Sequence, residues 1–378
     1  MDQNASNGVS VRRFASALLG NRLAAAEQLL LQRSSREAQR YAQAMPPAST
    51  ARSDALALGL SLGAAATSAY VLWKTTQEPK QAPKDKKLEK KLKQQARSRK
   101  IESLIMERGQ AGTKDYRVHV LAKGEEEMTV AELSLWHDVP LVAPSTPSSN
   151  APPLFNFVCE IPKCTRKKFE VATTEGRTPI KQDEKKGVLR EFKKGDIFFN
   201  YGCFPRTWED PRHVSPDTGY PGDNDPLDVC EIGLRQVQTG EIRPVKVLGV
   251  LAMIDDDETD WKVVAIDAED RWAPELNDID DVERLIPGTV SLIREWFRTY
   301  KIPDGKPPNK FALDERCMGA KYAHKVIHET HTFWCDLVQK QLGDDFGFQL
   351  PKLETLRGVA NDSKMVRKIS NPDLTKLG

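Results

Sequence analysis

The apolar positions change rhythm along the chain. From residue 55 to 73 they run without a single charge, ALALGLSLGAAATSAYVLW. That length just crosses a hydrocarbon core of ~30 Å at ~1.5 Å per helical residue. Arg52 and Lys74 bracket the run, and Tyr70 and Trp73 suit a membrane interface. The run therefore reads as a transmembrane helix over 54–74, with a buried soluble helix as the plain alternative. From about residue 112 the period shortens to two. Alternation over 116–120, 155–161, 168–171, 188–192, 245–253 and 261–266 predicts strands. Helical spacing follows over 280–285, stopped by Pro287 and Gly288, then over 289–300 and 321–341, with Val290, Ile293 and Phe297 on one face of the middle helix. Strands first and helices last predict an α+β body on an antiparallel sheet or barrel. Residues 346–378 read as a loosely packed polar tail.

Charge divides the chain in the same place. The first 110 residues hold 19 Lys+Arg against 9 Asp+Glu, and the remainder holds 37 against 45. A basic arm thus precedes an acidic body, and the two parts suit different partners. Within the arm, Arg12, Arg13, Arg22, Arg33, Arg36 and Arg40 lie among Leu and Ala with few acids, which gives 1–53 the character of a mitochondrial transit segment. Residues 75–110 read as a basic linker helix, either solvated or lying on anionic lipid. Positive residues after the apolar run favour an inner-membrane protein whose body faces the matrix. Nucleic acid is disfavoured as a partner, because 84–100 carries no aromatic residue to stack a base and the body is acidic. Six cysteines without a C-x-x-C pair suit a reduced compartment.

Chemistry concentrates in the run Asp223-Asn224-Asp225-Pro226-Leu227-Asp228. On its own this reads as a solvated acidic turn or as a cation site. Converging carboxylates are hard oxygen ligands and favour Mg²⁺ or Mn²⁺. A second acidic turn lies between two predicted strands, with Asp255 and Asp260 at its ends and Lys262 on the same strand face as Asp260. Lys168 and Glu170 are likewise same-face neighbours, Glu160 closes an apolar run, Arg190 sits among strand residues, and Tyr300-Lys301 ends a helix. Carboxylates for Mg²⁺ beside Lys and Arg for phosphoryl oxygens suit a polyanionic phosphate substrate. His324, His328 and His331 share a helix but read as structural or surface residues.

From about residue 114 to 342 the chain resembles the soluble family I inorganic pyrophosphatases of the eukaryotic branch. The resemblance is carried by the 223–228 run together with FNFVCEIP (155–162), NYGCFPRTWEDP (200–211), ETDWKVVAID (258–267), LNDIDDVE (276–283) and EWFRTYKIPDGKP (295–307). It implies an OB-like five-stranded antiparallel barrel with flanking helices over 111–345, and hydrolysis of inorganic diphosphate with several Mg²⁺ ions, for which Mn²⁺ can substitute. Carried over by position, it implies primary metal ligands at Asp223, Asp228 and Asp260. Further ligands fall on Asp255, Glu170 and Glu160, and a base for the attacking water on Asp225. Phosphate-binding roles fall on Lys168, Arg190, Tyr201, Lys262, Tyr300 and Lys301. It also implies a homodimer.

The arm has no counterpart in that resemblance, Ile197 stands where the family carries a tyrosine, and Lys163-Cys164 replaces an Arg-Trp pair of the dimer contact. The loop between Arg190 and Tyr201 is shorter than in eukaryotic relatives. These departures motivate an alternative: an accessory subunit of a large inner-membrane complex built on the same fold, with weak activity.

Overall fold

The computed structural model describes residues 103–123, 130–144 and 153–370. The expected transmembrane run 55–73, the Arg-rich segment before it and the basic stretch 84–100 lie outside the described residues. Among the described residues no helix is long and apolar enough to cross a membrane. In chain order the strands are β1 (Ser103–Arg108), β2 (Arg117–Lys123), β3 (Val130–Leu133), β4 (Phe155–Ile161), β5 (Phe169–Val171) and β6 (Ile180–Gln182). A two-residue pair follows, β7 (Glu184–Lys185) and β8 (Val188–Leu189), then β9 (Asn200–Cys203), β10 (Asp228–Glu231), β11 (Ile242–Asp255) and β12 (Glu258–Asp267), with short β13 (Lys310–Phe311) and β14 (Met318–Gly319).

Strands β12, β10, β9, β4 and β11 pair in that order, and β11 pairs back onto β12, closing a five-stranded ring. The barrel is not wholly antiparallel as expected, because β10 runs parallel to β12. The reason is arithmetic: an odd number of strands cannot alternate direction around a closed ring, so at least one neighbouring pair must be parallel. That seam places Asp228 beside Lys262. Both faces of the barrel strands are covered. Phe157, Val229, Val250 and Val263 belong to one apolar cluster, and Cys230, Leu251 and Val264 to another. Burial on both sides explains why β4 has no exposed residue and why a clean polar alternation is missing there.

Helices α1 (Ile279–Leu285) and α2 (Thr289–Thr299) pack on the second cluster, and α3 (Ala320–Gln339) contributes Ala323, Val326 and Ile327 to the first. Asp278 starts α1 with a reciprocal capping box to Asp281. Ser103–Arg108, placed at sequence level in the basic linker helix, is instead an edge strand: the basic pattern ends at Lys100, and the Leu104–Met106 side pairs register by register along β2. The predicted strand over 188–192 shrinks to β8: beyond Arg190 the pairing passes to the other side of the chain, where Glu191 makes only an isolated bridge with Lys167.

The expected polar tail is the largest departure. A short helix, α4 (Gly343–Phe346), and α5 (Val359–Ser370) pack back on the body, and α5 buries Val366 and Asp362. Asp362 is fully enclosed with Arg206, 2.8 Å away. Its carboxylate also accepts the Leu141 and Val142 amides, so the polar pattern that suggested a tail conceals a buried acid with all its partners. Arg206 in turn donates to the carbonyls of His137 and Arg357. His331 Nδ1 donates to the Arg206 carbonyl at 2.8 Å, so this histidine is structural, as its sequence context suggests. Removing one partner of an enclosed ion pair strands the other charge. Asp362→Ala is therefore expected to lower stability by roughly 3–5 kcal/mol, read as a drop in the urea midpoint.

Candidate active site

Four local devices gather the acids and bases at one end of the barrel. In the 223–228 run, Asn224 takes φ 71°, a left-handed conformation that asparagine tolerates. Its Oδ1 accepts from Trp208 Nε1 at 3.1 Å, and the Asp225 amide donates to Asp223 Oδ1 at 3.0 Å. Gly222 lets this run close on its neighbour, since a Cβ there would lie 2.5 Å from the Glu209 carbonyl. The second device is the β11–β12 hairpin. Asp256 and Asp257 both have positive φ, 50° and 68°, as a two-residue turn between twisted strands requires. Asp255 sits at its mouth, and Asp260 and Lys262 share one face.

Third, the β4–β5 corner ties Glu160 to the Val171 amide at 2.7 Å and sets Lys168 Nζ 2.9 Å from Glu170 and 2.8 Å from Asp183, which also binds Arg190. Fourth, the end of α2 presents Tyr300 to Asp255 at 3.0 Å, with Lys301 bridging Asp255 and Asp256. Lys194 from the short 190–201 loop caps the carbonyls of Glu295 and Trp296 at that helix end.

These pieces interlock. Buried Lys262 pairs with Asp228 and Asp260, and donates to Tyr201 at 2.9 Å, while Tyr201 itself donates to Asp228. Burial alone lowers an ammonium's pKa, but these carboxylates outweigh it, so Lys262 stays charged with its pKa well above the usual value. The carboxylates show the opposite tension. Burial raises Glu209 and Asp223, and each is raised further by the Asp260 charge. Asp260 is lifted to about 7, first by burial, with Lys262 opposing and Asp228 adding. Glu160 is raised by burial and then by Asp228. Asp225 is the most open of the group, and its upward shift comes from desolvation in the cleft and then from Glu170, with solvent screening at its exposed position moderating both.

Of the residues named from the sequence, Tyr201, Asp228, Asp260 and Lys262 interlock directly, Tyr300 and Lys301 meet Asp255, Lys168 lies between Glu170 and Asp183 beside Arg190, Glu160 accepts from the Val171 amide, and Asp225 is tied to Asp223. Glu209 is the acid that sequence reasoning missed. One oxygen each of Glu209, Asp223 and Asp260 lie within 4.8 Å of one another. Glu209 Oε1 accepts from the Trp261 amide at 3.0 Å, but its buried Oε2 has no partner among the described residues. An all-oxygen donor set with a buried, unpartnered carboxylate oxygen fits a hard divalent cation. The signal was present in the TWEDP stretch, where Glu209 looked like part of a turn. Also missed were Lys185, Lys193 and Lys306. With Lys168, Arg190, Tyr300 and Lys301 they line a cleft of about 450 Å³, an electropositive opening for a polyanion.

The departures also have places. Ile197 is buried, and with Lys168, Phe192, Phe199 and Tyr300 it walls a cavity of about 30 Å³. Lys163 turns its ammonium to the Gly233 and Leu234 carbonyls of its own chain, and Cys164 beside it is exposed.

Acidic oxygens that suit hard cations, opposite Lys and Arg that suit phosphoryl oxygens, define a phosphoanhydride-hydrolase class of site. Comparison with known proteins gives the particular family. The inorganic pyrophosphatase family profile matches residues 157–335. The inorganic pyrophosphatase of Schizosaccharomyces pombe is 45% identical over 258 residues, which cover 67% of this chain and 86% of that protein. Inorganic pyrophosphatase 1 of Caenorhabditis elegans is 48% identical over 239 residues, 62% of this chain, but the match spans only 53% of that longer relative. Among solved structures, the N-terminal-domain-truncated vacuolar soluble pyrophosphatase of Trypanosoma cruzi in complex with PPi aligns with a TM-score of 0.61 at 41% identity, covering 69% of this chain and 96% of that one. The chain belongs to the inorganic pyrophosphatase family, and hydrolysis of inorganic diphosphate is the enzymatic activity that this membership carries.

The raised carboxylates give a pH dependence. Asp260 binds its proton more tightly folded than unfolded, so between about pH 4 and about pH 7 its contribution to the stability of the metal-free fold is lost as the pH rises. A cation that requires the ionised form reverses this. The rise in melting temperature on adding Mg²⁺ is expected to be small at about pH 5 and larger at about pH 8, and Asp260→Asn is expected to flatten that difference in a calorimetric titration.

Proposed function

We propose that this chain hydrolyses diphosphate with Mg²⁺, Mn²⁺ serving as a substitute, and that Asp223, Asp228, Asp260, Asp255, Glu170 and Glu160 hold the ions, with Glu209 joining Asp223 and Asp260. The observation that carries the reading is the Glu209–Asp223–Asp260 cluster, with its unpartnered oxygen, beside a cation-lined cleft. Bound Mg²⁺ supplies neutralisation of the diphosphate charge and acidification of the attacking water.

The remaining steps belong to the chain. Asp225, open to solvent and fixed through its amide to Asp223, accepts the proton of the water as its oxygen bonds to one phosphorus. The bridging P–O bond breaks, and its electron pair leaves with the second phosphate. Arg190, Lys301 and Tyr300 receive the charge that develops there. Lys168, Lys262 and Tyr201 grip phosphoryl oxygens and, through their own carboxylate partners, hold the acids in place. Diphosphate and water become two phosphates.

Purified protein given diphosphate and Mg²⁺ is expected to release phosphate, and to stop when the metal is chelated. No release above a metal-only blank would end the reading. Asp225→Asn is expected to cut turnover by about 10²- to 10⁴-fold, the usual worth of a general base, while Mg²⁺ binding measured by calorimetry persists. Turnover at the wild-type rate would remove Asp225 from this role.

The chain is further proposed to be tethered to the mitochondrial inner membrane, body toward the matrix. Supporting this are the uncharged run at 55–73, the Arg-rich segment before it and the basic residues after it. Such a tether also suits docking on a large membrane complex, which co-purification in mild detergent would reveal. Carbonate-washed mitochondrial membranes are expected to retain the protein, and protease is expected to reach the body only after the inner membrane is opened. Release into the carbonate wash would refute the tether.

A further inference from the structure

We infer that α5 is a clasp that positions the metal-ligating carboxylates, with Asp362 as its positioning residue acting through Arg206; this rests on the cation-site reading of Glu209, Asp223 and Asp260. Four consecutive residues connect the two places. Arg206, at one end, is enclosed with Asp362 of α5, 2.8 Å away, and donates to Arg357 O at 2.7 Å and His137 O at 2.9 Å. Each of the next three residues is tied to the acidic run. Thr207 Oγ1 accepts the Leu227 amide at 3.0 Å, next to Asp228. Trp208 Nε1 donates to Asn224 Oδ1 at 3.1 Å. The Glu209 amide donates to Asp225 O at 2.9 Å, and the Asn224 amide to Glu209 O at 3.0 Å.

The segment is held in a conformation that it would not choose. Arg206 has φ 54°, in the left-handed region that the Cβ of an L-residue other than glycine makes unfavourable. Such a conformation persists where its surroundings over-determine it. Here the guanidinium is gripped by α5 and its approach, the amide by Trp136 O at 2.8 Å, and the carbonyl by His331 Nδ1 at 2.8 Å. Loosening the guanidinium lets Arg206 relax, and the movement is passed to Glu209, three residues on, whose carboxylate must stay within reach of Asp223 and Asp260. Asp362 touches no substrate or metal; it sets where Glu209 stands.

The test uses the full chain with Asp362→Asn, which keeps the shape of the side chain and removes its charge. Two quantities are read: the Mg²⁺ concentration for half-maximal phosphate release, and the Mg²⁺-induced rise in melting temperature. D362N is expected to shift the Mg²⁺ midpoint upward on the order of tenfold, the low end of outer-sphere effects on metal affinity, and to shrink the Mg²⁺-induced rise. At saturating Mg²⁺ the KM for diphosphate should hold. Val282→Ala, in α1 and buried in the apolar cluster that holds no residue of α5 or of 206–209, controls for lost packing: it should lower the melting temperature yet leave the Mg²⁺ midpoint in place. If D362N does not fold, Arg206→Lys, which keeps the charge and loses the fork, is read in the same assays. An unchanged midpoint and rise in the clasp variant, or an equal midpoint shift in V282A, would overturn the clasp. A wild-type protein with no Mg²⁺-induced rise would instead sink the cation site itself, and the clasp with it.

Discussion

Burial of several carboxylates close to one another is the constraint around which this protein is built. Glu160, Glu209, Asp223 and Asp260 all have their pKa values driven upward, burial being the first cause and the neighbouring acids the next. One internal cation, Lys262, answers part of that charge from within the barrel wall. The remainder is left for a ligand. A fold that holds such acids together must be rigid where they attach, because any slack would let them swing apart and neutralise the problem by separation.

The closed ring provides that rigidity. The parallel seam between β10 and β12, which an odd ring cannot avoid, is also what brings Asp228 level with Lys262. Acids reach the cleft from four separate places: the 223–228 run that leads into β10, the hairpin mouth, the β4–β5 corner and the segment that ends at Glu209. None is free to follow its own repulsion, since each carboxylate or its backbone is held by a second bond, such as Glu160 to the Val171 amide and Glu209 to that of Trp261. The cations of the outer cleft sit on shorter connections, β7–β8 and the end of α2, and take the substrate side.

Much of this was legible in the sequence, for physical reasons. Strands such as β4 and β12 announce themselves as short apolar runs rich in aromatic and β-branched residues and bounded by turns, and the Asp-rich turns are visible because apolar strands flank them. Asp223, Asp225 and Asp228 stand out as acids in a run that holds no basic residue, and Asp260 through its same-face neighbour Lys262. Glu209 does not, because its company comes from Asp223 and Asp260 across the fold rather than along the chain. Asp362 escaped for the same reason: in α5 it sits among Asn361, Ser363 and Lys364, a polar stretch, and its burial depends on Arg206, far away in sequence. The parallel seam was hidden by a different limit, since strand direction belongs to ring closure and not to any strand's own pattern.

The separation of Arg206 and Asp362, 156 positions, has a consequence for the order in which the protein comes into being. A chain made from its N-terminus exposes every acid of the cleft long before residue 362 leaves the ribosome. Until then Arg206 lacks its anionic partner, and the growing chain carries its charged cleft without the bond that encloses that arginine. Completion of this ion pair therefore waits for residues made well after the barrel that displays the cleft.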